Sequence, residues 1–176
     1  MSLESKQCGE SLVSEKMVDA LNKQLNAEYL SSYVYLAMSA YFEAIDLRGF
    51  ANWMRVQSEE EIKHAMRFYN YLVDCDERVK LMQIQQPPIE WKSTLAALED
   101  AYMHEKEITS YIHELVSLSL TEKDHATYEM LQWFVKEQVE EEKNTRDIVR
   151  DIKRYEDVST GLLILDRELA KRKVET

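Results

Sequence analysis

A carboxylate followed by a polar pair three residues apart occurs twice in this chain at one spacing. Glu28 stands 33 residues before Glu61 and 36 before His64, and Glu105 stands 33 before Gln138 and 36 before Glu141. Each of these residues interrupts a stripe of apolar side chains at helical period, where an unpartnered charge costs several kcal/mol unless it is neutralised or binds a cation. Glu28, Glu61, His64, Glu105 and Glu141 supply four carboxylates and one imidazole, enough for two hard or borderline cations sharing a bridging carboxylate. Zinc more often recruits additional His or Cys, and calcium takes an oxygen-rich loop, so the donor set suits iron. Two ferrous ions held together can deliver electrons jointly to dioxygen or peroxide, and oxygen ligands stabilise the ferric product. Ferrous oxidation is the chemistry this pattern implies.

Long helices are needed to carry such spacings. The chain has 176 residues, 45% of them hydrophobic, with only three Gly and two Pro. It reads as a flexible N-terminal segment, residues 1–13, followed by a single all-helical domain, residues 14–176. Helix one starts at Ser14 and Glu15 and follows Leu21, Leu25, Glu28, Ser32, Tyr35 and Phe42 to about Ala44. After a turn over 45–48, helix two follows Phe50, Met54, Gln57, Glu61, His64, Phe68 and Tyr71 to Cys75. The segment 76–91, with adjacent Pro87 and Pro88, reads as an extended crossover. Helix three follows Leu95, Leu98, Tyr102, Glu105, Ile108, Ile112 and Leu115. After a turn over 121–124, helix four follows Met130, Phe134, Gln138, Glu141, Thr145 and Ile148. A short fifth helix spans Leu162 to Ala170.

Each helix pair makes a hairpin, and the four polar stations lie about 25 Å from their turns at 1.5 Å rise per residue. The expectation is that the hairpins pack with their turns at the same end, which brings the stations to one level. Chemically the halves differ. Helix-bundle di-iron sites use two Glu-x-x-His pairs, whereas here the second pair is Gln138 and Glu141, so the second ion is expected to be held more weakly. The neighbouring Tyr35 is answered by Ile112 at the equivalent position.

A net charge of −11 offers no basic stripe for nucleic acid or an anionic membrane, and makes cations the natural small partners. Two cysteines, Cys8 and Cys75, form neither a disulfide framework nor a Cys-x-x-Cys motif, as expected of a reducing cytoplasm. No apolar run is long enough to span a bilayer, and the opening MSLESKQCGESLV lacks a signal-peptide pattern.

The stretches LNAEYLSSYVYLAMSAYF, EEEIKH, HEKE and LQWFVKEQVEEE occur in this order, and with them the chain resembles the prokaryotic non-haem ferritins over nearly its whole length after about residue 14. The resemblance implies a ferritin-like four-helix bundle with a long crossover between helices two and three and a short C-terminal fifth helix. It implies one iron position at Glu28, Glu61 and His64, and a second at Glu61, Glu105 and Glu141, with Glu61 bridging and Gln138 nearby. A third position matches Glu60, Glu137 and Glu140. Tyr35 corresponds to the tyrosine kept beside the di-iron centre, so Tyr35, Glu61 and His64 are the expected catalytic residues. Its role is either a hydrogen-bonding or electron-donating phenol, or a core tyrosine bonded to a ligand carboxylate.

The implied function is iron storage and detoxification. Fe(II) is oxidised with O2 or H2O2 at a ferroxidase centre, and ferric mineral is deposited inside a hollow homo-oligomeric, 24-subunit shell in the cytoplasm. The fifth helix would pack around the four-fold axes of such a shell, although a helix of this kind also suits capping a dimer. The alternative is a rubrerythrin-like di-iron peroxidase without mineral storage, but the Cys-rich rubredoxin segment usual in that group is lacking. No haem is expected, because Ile62 stands where bacterioferritins carry methionine inside the second-helix motif. His104, His113 and His125 have no partner at ligand spacing, and Trp53 and Trp133 read as packing residues.

Overall fold

The computed structural model describes residues 12–155 and 160–174. Helices α1 (Glu15–Ala44), α2 (Arg48–Asp74), α3 (Thr94–Glu122), α4 (His125–Tyr155) and α5 (Gly161–Leu169) follow in order, with no strand among the described residues. Three of them start on a local cap. Ser14 Oγ accepts the Met17 amide at 3.1 Å, Ser93 Oγ that of Ala96 at 3.1 Å, and Asp124 Oδ1 that of Thr127 at 2.9 Å. Each satisfies an amide that has no partner within its helix. Val13 and Val18 flank the Ser14 cap in one buried apolar cluster, a staple that fixes the helix entry. The rest of the predicted flexible segment, residues 1–11 with Cys8, lies outside the described residues.

At the far ends of α1, α2 and α3, Asp46, Asp76 and Lys123 take left-handed backbone angles. The amides of Leu47, Glu77 and Asp124 then reach back to the carbonyls of Phe42, Leu72 and Ser119, closing these helices without glycine. Helix α3 runs on through Thr121 and Glu122, which the sequence places in the turn.

The two hairpins form as predicted, but their turns lie at opposite ends of the bundle, which corrects the expectation of a shared end. Tyr41 donates its hydroxyl to the Trp91 carbonyl at 3.2 Å, so the first turn sits beside the start of α3. Ser14 donates to Glu122, and Tyr71 pairs with Thr127 at 2.8 Å, so the second turn sits beside the start of α1 and the end of α2. The cause is the crossover, which returns along the bundle instead of entering α3 where α2 ends. Asn22 and Asn26 pin it to α1: the Lys80 and Met82 amides donate to their side-chain oxygens at 2.6 Å, and their own amides donate to the Arg78 and Lys80 carbonyls. An extended segment of this length reaches about 50 Å, against about 40 Å for α2, so it can cover the helix. The polar stations still meet because they lie near the middle of their helices, and reversing one hairpin leaves their level unchanged.

Two apolar clusters fill the bundle. One holds Phe42, Phe50, Trp53, Met54, Leu98, Ile148 and Leu165; the other holds Met17, Leu21, Leu25, Phe68, Leu72, Ile112 and Phe134. Between them lies a belt of buried polar side chains. Helix α5 closes the first cluster through Leu165, and its Asp166 performs a second task. Leu47, at the start of α2, makes no side-chain cap. Asp166 Oδ1 instead accepts the amides of Gly49 at 2.7 Å and Phe50 at 3.0 Å. Gly49 is required here, since a Cβ would fall 1.6 Å from the Asp166 carbonyl oxygen. Among the described residues, no helix is long and apolar enough to cross a membrane.

Candidate metal centre

The predicted ligands converge in the polar belt. Glu28 comes from α1, Glu61 and His64 from α2, Glu105 from α3, and Gln138 and Glu141 from α4; each is at most 4% exposed. The i, i+3 spacing of Glu61 and His64 sets both on one face of α2, where His64 Nδ1 lies 3.1 Å from Glu61 Oε2. Glu28, Glu61 and His64 each offer a donor atom within 4.8 Å of the other two. His64, Glu137 and Glu141 form a second such group. His64 thus belongs to both, its Nε2 lying 3.9 Å from Glu137 Oε1. Its ring is held edge-on by Trp133, with centroids 5.4 Å apart.

Glu105 joins neither group, for a visible reason. Tyr35 donates its hydroxyl to Glu105 Oε1, and the Gln138 amide donates to Glu105 Oε2 at 3.2 Å. The Tyr35 bond crosses the bundle from α1 to α3 and is common to both roles open to this residue in the sequence. Gln138 therefore orients a carboxylate through its amide. Glu60, Glu137 and Glu140 line one cavity of about 170 Å³, together with Glu141, Asn144, Arg172 and Lys173.

Burying this many acids in one place makes them reluctant to ionise. Burial, and then the charge of Glu61, push Glu28 and Glu105 up to about 8. Glu61 and Glu141 are pushed up as well, by burial first and then by the negative charges of Glu141 and Glu105 respectively. The Tyr35 phenol is raised well above its ordinary value by burial and by the same carboxylates, so it remains a hydroxyl donor. Glu28 Oε2 is buried with no hydrogen-bond partner. Such an oxygen is costly unless protonated or ligated, and a hard or borderline divalent cation among these donors removes both penalties.

Several residues that shape the site escaped the sequence reading. Gln24 donates to Glu28 Oε1 at 2.8 Å. Gln57 donates to Glu61 Oε1 at 3.3 Å and to Glu141 Oε2 at 2.6 Å. Each glutamine stands one helical turn before its carboxylate, a spacing that was available as a signal. His104, expected to have no ligand partner, bonds Ser31 Oγ at 2.8 Å and lies edge-on to Tyr35, at 5.9 Å between centroids. His113 and His125 are exposed, as is Glu59. Arg172 carried no sequence signal at all.

This geometry has counterparts among known proteins. A family described as the ferritin-like domain matches residues 18–155. A bacterial non-heme ferritin of Bacteroides fragilis is 39% identical over 161 residues, covering 92% of this chain and 100% of that protein. A bacterial non-heme ferritin of Staphylococcus aureus is 34% identical, over 92% of this chain and 97% of its own. Among solved structures, an open-pore ferritin from the archaeon Archaeoglobus fulgidus superposes with a TM-score of 0.91 at 50% identity, covering 93% of this chain and 99% of that one.

Proposed function

This chain belongs to the ferritin family, and from that premise we propose that it is an iron-storage and detoxification protein. It oxidises Fe(II) to Fe(III) with O2 or H2O2 at a ferroxidase centre within each subunit and deposits the ferric product as mineral inside a hollow homo-oligomeric shell in the cytoplasm. The observation that carries this reading is the buried convergence of Glu28, Glu61 and His64 within 4.8 Å, with Glu28 Oε2 otherwise unpartnered.

In this reading Glu28, Glu61 and His64 hold one substrate ion, and Glu61, Glu105 and Glu141 hold the other, with Glu61 shared. Tyr35 and Gln138 hold the two oxygens of Glu105 until the second ion takes this carboxylate. Two ferrous ions each lose one electron and the oxidant gains both; with two protons, O2 leaves as H2O2 and H2O2 leaves as two waters. Glu60, Glu137 and Glu140 receive an ion on its way to the mineral. The group of His64, Glu137 and Glu141 supports that route, because His64 and Glu141 serve the centre while Glu137 lines the acidic cavity.

Assembly finds support in the surface. Tyr33 and Leu36 of α1 and Leu81, Met82, Ile84 and Ile89 of the crossover expose large apolar side chains, as do Leu163 and Ile164 of α5. An apolar surface of this kind suits contact between copies. A 24-subunit shell is the assembly we propose.

Ferrous oxidation followed by absorbance, with assembled mass and iron content per chain, tests the proposal. Glu61→Ala should abolish rapid oxidation and leave the shell intact; unchanged kinetics would refute the centre. A small oligomer that saturates at its ligand sites and turns over peroxide would replace storage with a rubrerythrin-like peroxidase.

A further inference from the structure

The segment that follows α5 returns along α2 and inserts a positive charge beside the metal centre. Asn52 Nδ2 donates to the Arg172 carbonyl at 3.1 Å and holds the backbone of this segment. The Arg172 guanidinium lies over the Trp53 ring, 4.3 Å from its centroid. Nη1 donates to Gln57 Oε1 at 2.8 Å, and Nη2 donates to Glu60 Oε2 at 2.5 Å. Both side chains of the ion pair are largely buried, at 20% and 14% exposure, which separates it from a solvent-screened surface bridge.

Two consequences follow from these bonds. A Gln57 whose carbonyl oxygen is taken by Arg172 can present only its NH2 group to Glu61 and Glu141. The guanidinium also already occupies the Glu60 side of the acidic cavity bounded by Glu137, Glu140 and Glu141. A divalent cation bound there would stand against a fixed positive charge.

We propose that Arg172 is a positioning residue and resident counter-cation of the metal centre: it orients the Gln57 amide, and it gives up Glu60 when a metal ion enters the cavity of Glu60, Glu137 and Glu140. The proposal rests on the ferroxidase reading and adds to it a gate carried by the C-terminal segment. Because Asp166 caps α2 just before this segment, the seating of α5 sets where the gate stands.

Calorimetric titration of the assembled full chain with Zn(II), which undergoes no redox change, tests this without reference to activity. Glu140→Gln identifies the cavity ion as the one it removes, and Glu61→Gln identifies the ions of the pair. In Arg172→Gln the cavity ion should bind about tenfold tighter, while the pair binds more weakly because Gln57 is free to turn. Arg172→Lys keeps the charge without the two-pronged fork, so it should restore the weak cavity affinity but not the affinity of the pair. Equal cavity affinity in the wild type and Arg172→Gln, or no ion sensitive to Glu140→Gln in either, would overturn the gate while leaving the ferroxidase reading intact. Zinc binding indifferent to Glu61→Gln would overturn the ferroxidase reading itself, and the gate with it.

Discussion

Gln57 of α2 and Glu141 of α4 meet across the bundle in a 2.6 Å hydrogen bond, and the same amide nitrogen donates to Glu61 one turn further along its own helix. One neutral side chain therefore sets the spacing of two carboxylates that repel each other. The amide supplies donors to carboxylate oxygens that burial would otherwise leave unpaired.

Replacing Gln57 by Leu keeps the volume roughly constant and removes both donors. Ferrous oxidation measured by rapid mixing should slow by about tenfold or more, as is usual when partners of metal ligands are lost. Helix content and assembled mass should be retained. A wild-type rate would show that Glu61 and Glu141 reach their positions without the amide.

Tyr35→Phe deletes the hydroxyl that donates to Glu105 Oε1. The metal-free protein should lose about 1–3 kcal/mol of stability in denaturant titrations, the cost of a buried acceptor left without a donor. Metal loading should narrow the difference, because the ion then satisfies Glu105. Equal stability of the two metal-free proteins would mean that Glu105 does not depend on the phenol.

The buried carboxyls predict an unusual pH dependence. Glu28 and Glu105 sit at about 8 in the folded chain, above the 4.5 of an unperturbed group. The folded state therefore binds more protons than the unfolded state between those values, and stability falls as pH rises through the window. Metal binding displaces these protons, so the stabilisation by Zn(II) should grow over the same range and be accompanied by proton release. Thermal midpoints with and without Zn(II) at pH 5 and pH 8 check the sign; a zinc increment independent of pH would contradict it.

Asp166→Ala removes the cap that α5 supplies to α2, and Gly49→Ala forces a methyl group against the Asp166 carbonyl. Both should release α5, the first at a cost of about 0.5–2 kcal/mol. Hydrogen exchange at residues 161–169 should rise sharply in each variant while residues 15–44 stay protected. Unchanged exchange in α5 would show that Leu165 and its apolar neighbours hold the helix alone.

The convergence of the polar-belt side chains was legible because they lie inside periodic patterns. Glu28, Glu61, His64, Glu105 and Glu141 stand out as charges within apolar stripes, and helical geometry converts their spacing into a shared face. The supporting shell was harder to see. Gln24 and Gln57 stand one turn before Glu28 and Glu61, but that spacing is common on solvated faces, and their contacts are what give it meaning. The hairpin sense differs from the expectation because equal distances from two turns say nothing about which end each turn occupies. The path of the crossover, pinned by Asn22 and Asn26, decides it.

The sequence by itself determined five helices, their faces, and the level at which the polar residues interrupt the core, since periodicity and capping are local properties of the chain. Tertiary structure decided everything that joins distant segments. The opposed hairpin turns, the cap on α2 supplied by Asp166 from 117 residues away, and the Arg172 guanidinium between Gln57 and Glu60 are all of this kind. Such contacts leave no repeating trace in a sequence, because each depends on one side chain reaching one site that exists only once the bundle has closed.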